Sequence, residues 1–265
     1  MDIIDFHGHI YPERIAAKAV ENVGEFYKLN MQGDGTAWHL IENGRKVNIK
    51  KFVVHSPALH PKNVPAINDF IALECSVHPE LIGFGTLHAA MEAPMAEIQR
   101  IKDLDLKGIK LHPDSQQFDL DDSRLMPVYK RLSELGLPVL FHTGDYRYDY
   151  SHPRRLVKVM ECCPGLVCIA AHFGGWSIFD LAMEYLLDQS CYLDISSSMS
   201  FLGKRRSREL IEAYGTERML FGSDYPMWMP EAELDKFMRL GFSDEDNRRI
   251  LYSNAAGILG LPLDS

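Results

Sequence analysis

The sequence predicts an α/β protein, a TIM-type (β/α)8 barrel forming a single domain over residues 1–265. Three observations carry this expectation. Short apolar runs alternate with amphipathic helical stretches, the pattern of a parallel sheet with right-handed crossovers. Eight such runs fit in the 265 residues, which suits a closed barrel better than an open doubly wound sheet. The runs are continuous and do not alternate apolar with polar, as expected of parallel strands covered on both faces. No G-x-G-x-x-G follows the first run, and no Walker A sequence occurs.

The elements follow in order. Ile3, Ile4 and Phe6 form the first strand, which ends in His7-Gly8-His9. Pro12 suits the first turn of a helix through about residue 23. Residues 30–37 read as a loop that could reach over a site, and 38–48 as a short helix. Strands are expected at 51–55, 81–88, 107–112, 137–144, 166–175, 191–195 and 218–224. Helices are expected between them at 64–77, 92–103, 123–135, 153–162, 178–188 and 204–214, with Gly136 as a cap. Three helical stretches, 230–239, 243–251 and 253–260, complete the chain. Neither a low-complexity linker nor a repeat marks a second domain.

Composition narrows the function classes. Hydrophobic residues make up 46% and charged residues 25%, as in a soluble globule with a large core. A net charge of -9 argues against a general nucleic-acid binder. The five cysteines (Cys75, Cys162, Cys163, Cys168 and Cys191) form no C-x-x-C pair, so a reducing cytoplasm is expected and Cys162 and Cys163 read as inert. Neither a signal-peptide pattern nor an apolar run of membrane-spanning length is present, so no membrane partner is expected.

A barrel gathers its functional groups at the carboxyl ends of its strands. His7 and His9 end the first strand, His112 the fourth, His142 the fifth, His172 the sixth and Asp224 the eighth. Imidazole and carboxylate are the usual ligands of catalytic zinc. His7 and His9, two apart in a strand, project to one face and can grip one ion. A bound metal lowers the pKa of its water to about 7, and Asp224 is suited both to bind the ion and to relay the proton. His172 off the metal would polarise substrate or shuttle a proton. His55, His88 and His152 read as structural or exposed.

The ordered set D-x-H-x-H, G-I-K-L-H-P, F-H-T-G, A-H-x-G-G and F-G-S-D-Y-P, running from Asp5 to Pro226, resembles the amidohydrolase superfamily. Within it the match is to the amidohydrolase-2 branch, similar to aminocarboxymuconate-semialdehyde decarboxylase. The resemblance implies His7, His9, His142 and Asp224 as metal ligands, with Asp224 and His172 catalytic. It implies one divalent ion per chain, with Zn2+ first and Mn2+ or a second ion as alternatives. In binuclear members a carboxylated lysine on the fourth strand bridges two ions, a part Lys110 could play. His112 is expected to line the pocket or support a ligand from behind. The resemblance also implies a homodimer.

Arg147, between Tyr146 and Tyr148, could clamp a substrate carboxylate or be a solvated loop residue. Trp176 and Trp228 could wall the pocket or pack against helices. The expected function is a metal-dependent hydrolase of a small carboxylate-bearing substrate, using metal-activated water on an ester, lactone or amide bond. The alternative is a metal-dependent non-oxidative decarboxylase of a conjugated or aromatic acid. A non-catalytic ligand-binding barrel ranks behind both, and a two-metal phosphodiesterase is disfavoured by the absence of a basic surface.

Overall fold

A computed structural model describes residues 1–263. Strands and helices alternate as expected. The strands are β1 (Ile3–His9), β2 (Ile49–His55), β3 (Leu81–Thr86), β4 (Gly108–Leu111), β5 (Val139–Phe141), β6 (Cys168–Ala170), β7 (Tyr192–Asp194) and β8 (Met219–Leu220). The sheet runs in chain order from β1 to β8, the (β/α)8 topology. The helices are α1 (Glu13–Tyr27), α2 (Ala37–Lys46), α3 (Val64–Val77), α4 (Pro94–Asp103), α5 (Pro113–Gln116), α6 (Met126–Glu134), α7 (Pro153–Cys162), α8 (Phe179–Leu186), α9 (Met199–Tyr214), α10 (Pro230–Met238), α11 (Asp244–Arg248) and α12 (Asn254–Leu259).

Two compact units make up the chain. The first holds residues 1–55, 74–82 and 194 onward. Here β1 and β2 pair in parallel, and the register slips between Asp5 and Gly8, so that Phe6 and His7 oppose the single residue Val53. Such a bulge re-aims a side chain, here that of His7. β1 is also joined to the β8 segment, through Phe6 N to Phe221 O at 2.8 Å and His9 N to Tyr225 O at 2.6 Å. Ile4, Phe6, Phe52, Leu220, Phe221, Ile250 and Leu251 are buried as its core.

The second unit holds residues 56–73 and 83–193. Its strands pair in parallel, with Thr86 opposite Lys110, Lys110 opposite Leu140 and Leu140 opposite Ile169. Phe84, Ile109, Leu111, Val139, Phe141 and Ile169 are buried between strands and helices. Asn68 of α3 is bonded to both backbone groups of Thr86, at 2.7 and 3.1 Å, which ties the helix to β3.

The differences from expectation lie at element ends. The one-turn helix α5 follows His112 directly, because the His112 ring caps it by accepting Ser115 N–H at 3.3 Å. The helix α9 starts at Met199, earlier than expected, and kinks at Gly203, whose φ of 71° is the left-handed geometry glycine tolerates. The strand β6 stops at Ala170, and His172–Gly174 forms a 3-10 turn instead. Among the described residues no helix is long and apolar enough to cross a membrane.

Candidate metal centre and active site

In the first unit, three of the expected ligands meet. His7 Nε2 lies 3.3 Å from His9 Nε2 and 3.3 Å from Asp224 Oδ1, and His9 Nε2 lies 3.5 Å from the same oxygen. Bonds of about 2.1 Å to a tetrahedral ion would set donors about 3.4 Å apart. The three donors already stand at that spacing.

The support behind His7 fixes which nitrogen faces the cluster. His7 Nδ1 lies 2.8 Å from Asp194 Oδ2. A carboxylate only accepts, so Nδ1 carries the proton and Nε2 offers its lone pair. Asp194 is itself held by Ser196, whose hydroxyl and N–H donate to Oδ1 at 2.5 and 3.0 Å. A lone pair on His7 facing a carboxylate oxygen at 3.3 Å is repulsive unless positive charge lies between them. The donor set therefore fits a divalent cation by chemistry as well as by spacing.

The backbone brings these side chains together. Asp224 N donates to His7 O at 2.8 Å, and Asp224 adopts a φ of 60°, a left-handed geometry uncommon for a residue with a side chain. Asp5 accepts N–H groups from Ser223 at 2.9 Å and His7 at 3.2 Å, so it joins β1 to the β8 segment beside both ligands. Burial pushes its carboxyl up to about 7, against the hydrogen bonds from Ser223 and His7. Gly222 is required here, since a Cβ would lie 2.8 Å from His7 Cβ.

The second unit holds the other three histidines expected at the site, His112, His142 and His172. His112 and His142 stack with ring planes at 7° and centroids 3.9 Å apart, and His172 meets His142 edge-on at 5.0 Å. A metal lies near the plane of each imidazole that binds it. The parallel planes share no such point, although one donor atom from each of His112, Asp114 and His142 lies within 4.8 Å of the others. Asp114 Oδ2 accepts from Ser151 Oγ at 2.5 Å and lies 3.5 Å from His142 Nε2. Burial pushes Asp114 up to about 7, helped by the charge of Asp145. Lys110 is fully buried on β4. His172, like Asp224, holds a positive φ, at 59°.

Arg147 is part-buried in the loop after β5. Its guanidinium pairs with buried Asp145, Nε at 2.9 Å to Oδ1 and Nη2 at 2.6 Å to Oδ2. It also lies against the rings of Tyr148 and Trp176, at 5.2 and 5.9 Å. Trp176 is buried, its backbone N–H donating to Thr143 O at 2.8 Å, where the loops after β5 and β6 approach so closely that a Cβ on Gly144 would lie 2.5 Å from Gly175 Cα. Trp228 donates Nε1–H to Ser197 Oγ at 2.9 Å and carries the Lys236 ammonium over its ring at 4.7 Å.

Three further residues stand beside these groups. Asp194 ends β7 just as Asp224 follows β8, and the same strand-end criterion would have found it. His55 ends β2 and is fully buried, the structural of its two expected placements. Asp114 sits two residues past His112, where the one-turn helix turns it back toward His142.

A β/α barrel carrying two imidazoles and a carboxylate at metal-binding spacing at its strand ends is the architecture of a metal-dependent barrel enzyme. The chain belongs to the Amidohydrolase family, whose amidohydrolase-2 model matches residues 4–261. It is 23% identical over 235 residues to a 2-amino-3-carboxymuconate-6-semialdehyde decarboxylase of Dictyostelium discoideum, covering 74% of this chain. The match spans 66% of that relative's length, just under two thirds. A TIM-barrel protein of Bordetella bronchiseptica superposes with a TM-score of 0.78 at 22% identity, covering 98% of this chain and 99% of that one. A dihydroxybenzoic acid decarboxylase of a Polaromonas species, solved with manganese and the inhibitor 2-nitroresorcinol, superposes with a TM-score of 0.76 at 15% identity, covering 98% of this chain and 97% of that one. These likenesses establish the barrel fold.

Proposed function

We propose that this protein is a metal-dependent, non-oxidative decarboxylase of a small aromatic or conjugated carboxylic acid. The observation that carries the metal dependence is the His7, His9 and Asp224 donor set at 3.3–3.5 Å. The choice of decarboxylation over hydrolysis is favoured by the names of the relatives, which are decarboxylases of such acids. The hydrolase expectation finds no comparable support among them and takes second place.

We assign one divalent ion per chain, Mn2+ or Zn2+, to His7, His9 and Asp224, with His142 as the further ligand that the family resemblance implies. When bound, the ion supplies a Lewis acid for the oxygens of the substrate. The chain's own residues do the rest. Asp194 keeps His7 in the tautomer that presents Nε2. Asp5 holds the backbone of His7 and Ser223. In the reaction the bond between the ring carbon and the carboxylate breaks, CO2 leaves, and that carbon takes a proton, which we assign to His172 or Asp224. Lys110 and His112 are assigned to the pocket and to support of His142. Arg147 and Trp176 form a fixed wall, not a mobile clamp. The substrate is a small molecule; a homodimer rests on the family resemblance alone.

The test is direct. Protein stripped with chelator is reloaded with Mn2+ or Zn2+, its metal content is measured, and CO2 release is followed over a panel of hydroxybenzoates and muconate-like acids beside esters and lactones. CO2 release that requires the metal and disappears in Asp224→Ala supports the proposal. Hydrolysis of a lactone or ester with no CO2 from any acid would restore the hydrolase reading.

A further inference from the structure

We propose that His55 is an additional metal donor, so that β2 contributes a ligand beside His7, His9 and Asp224. The inference rests on reading that cluster as a metal site and names a member neither the motifs nor the family resemblance supplies.

The sheet itself brings His55 there. β1 and β2 pair in parallel with His9 opposite His55. Residues paired across neighbouring strands point to the same face. Both end their strands, so both stand at the carboxyl edge of the sheet. His55 is fully buried. One donor atom from each of His7, His9 and His55 can be chosen so that all three lie within 4.8 Å of one another.

Ring orientation is compatible with a shared ion. The His55 ring stands at 73° to that of His7, with centroids 4.9 Å apart. It stands at 87° to that of His9, at 4.5 Å. Crossing planes share a line on which one ion can lie near the plane of every ring, whereas the stacked rings of His112 and His142 share none. His55 has a donor atom within 4.8 Å of one on each of His7 and His9, within reach of a shared ion. With it, one compact unit of the chain supplies three imidazoles and one carboxylate. If His55 only packed, a phenylalanine of similar shape would serve as well.

The experiment uses purified full-length protein, with His55→Phe and His142→Phe beside the wild type. Zinc affinity is measured by competition with a chromophoric chelator, and the number of bound imidazoles by X-ray absorption at the zinc edge. The expected result is that His55→Phe loses one imidazole and binds zinc at least tenfold more weakly, while His142→Phe keeps three imidazoles, from His7, His9 and His55. A folded His55→Phe with the wild-type imidazole count and an affinity within twofold would overturn the inference. So would His142→Phe with only two imidazoles, an outcome that decides the matter even if His55→Phe fails to fold. A wild type that takes up no zinc or manganese would overturn the metal reading along with it, whereas normal uptake with an unaffected His55→Phe removes only His55.

Discussion

His7 Nδ1 donates to Asp194 Oδ2 across 2.8 Å, and neither side chain is exposed. This bond joins the last residue of β7 to the bulge of β1. It selects the His7 tautomer and holds the ring where Nε2 faces His9 and Asp224. Carboxylates behind ligating histidines tune metal affinity by about 10- to 100-fold. Asp194→Asn should therefore raise the Kd for Mn2+ or Zn2+ by at least about tenfold while the circular dichroism spectrum stays that of the wild type. An unchanged Kd in the folded variant would show that Asp194 is a packing residue only.

The loop between α1 and α2 is latched to the segment that carries Asp224. Tyr225 OH accepts from Gly35 N–H at 3.0 Å, lies 3.0 Å from His39 Nδ1 and donates to Asp34 Oδ1 at 2.8 Å. Gln32 and Gly33 both donate to Pro226 O at 2.9 Å. Burial, with the neighbouring Asp34 carboxylate, pushes the Tyr225 phenol well above its ordinary value, so the hydroxyl stays protonated and able to donate. Tyr225→Phe keeps the ring and deletes the latch. It should cost about 1–3 kcal/mol, the range for buried polar groups left without a partner. Amide exchange should accelerate in residues 31–39 above all. Faster exchange spread evenly over the sheet would instead mean that Tyr225 matters only for global packing.

The barrel order was readable because parallel strands covered on both faces are continuous apolar runs separated by helical periodicity, and His7, His9 and Asp224 were readable because strand ends collect function. The rest was hidden for physical reasons. The strand period alone would align His7 with His9, yet the bulge at Phe6 and His7 sets the actual angle, and a bulge leaves no mark in the sequence. His55 and Asp194 satisfied the strand-end criterion. Nothing local in the sequence shows that Asp194 lies behind His7 or that His55 packs against His7 and His9. Asp114 became visible only once His112 was seen to cap a one-turn helix. The partner of Arg147 is two residues away in sequence, but nothing local shows that Asp145 is buried and so claims the guanidinium.

That ion pair leads to a prediction opposite to the clamp expectation. The Asp145 side chain is fully buried, and Arg147 is its close cationic partner at 2.6 Å. Removing one partner of a buried pair typically costs about 3–5 kcal/mol; because the Arg147 side chain is 25% exposed, about 2–3 kcal/mol is the better expectation here. Arg147→Ala should lower the melting temperature clearly, and Asp145→Asn combined with Arg147→Gln should recover much of the loss. A large rise in KM with no change in thermal stability would return Arg147 to the role of substrate clamp.

His88 should make the protein lose stability on mild acidification. It is buried beside Phe118, with ring centroids 5.5 Å apart, and its Nδ1 accepts Ala90 N–H at 3.1 Å, which an imidazolium cannot do. Burial holds its pKa below the ordinary value of 6.5. The sign follows from linkage. Between the folded and unfolded pKa values the unfolded chain binds more protons, so stability rises with pH in that window. The His88 contribution is complete above about pH 6.5 and declines as pH falls below it toward the folded value. Urea unfolding of the wild type and of His88→Gln, measured side by side from pH 5 to pH 8, isolates this term from the other histidines. The stability advantage of the wild type should shrink as the solution is acidified through pH 6. A difference that stays flat, or grows on acidification, would show that His88 titrates in the folded protein as it does in the unfolded chain, or is better accommodated in its charged form.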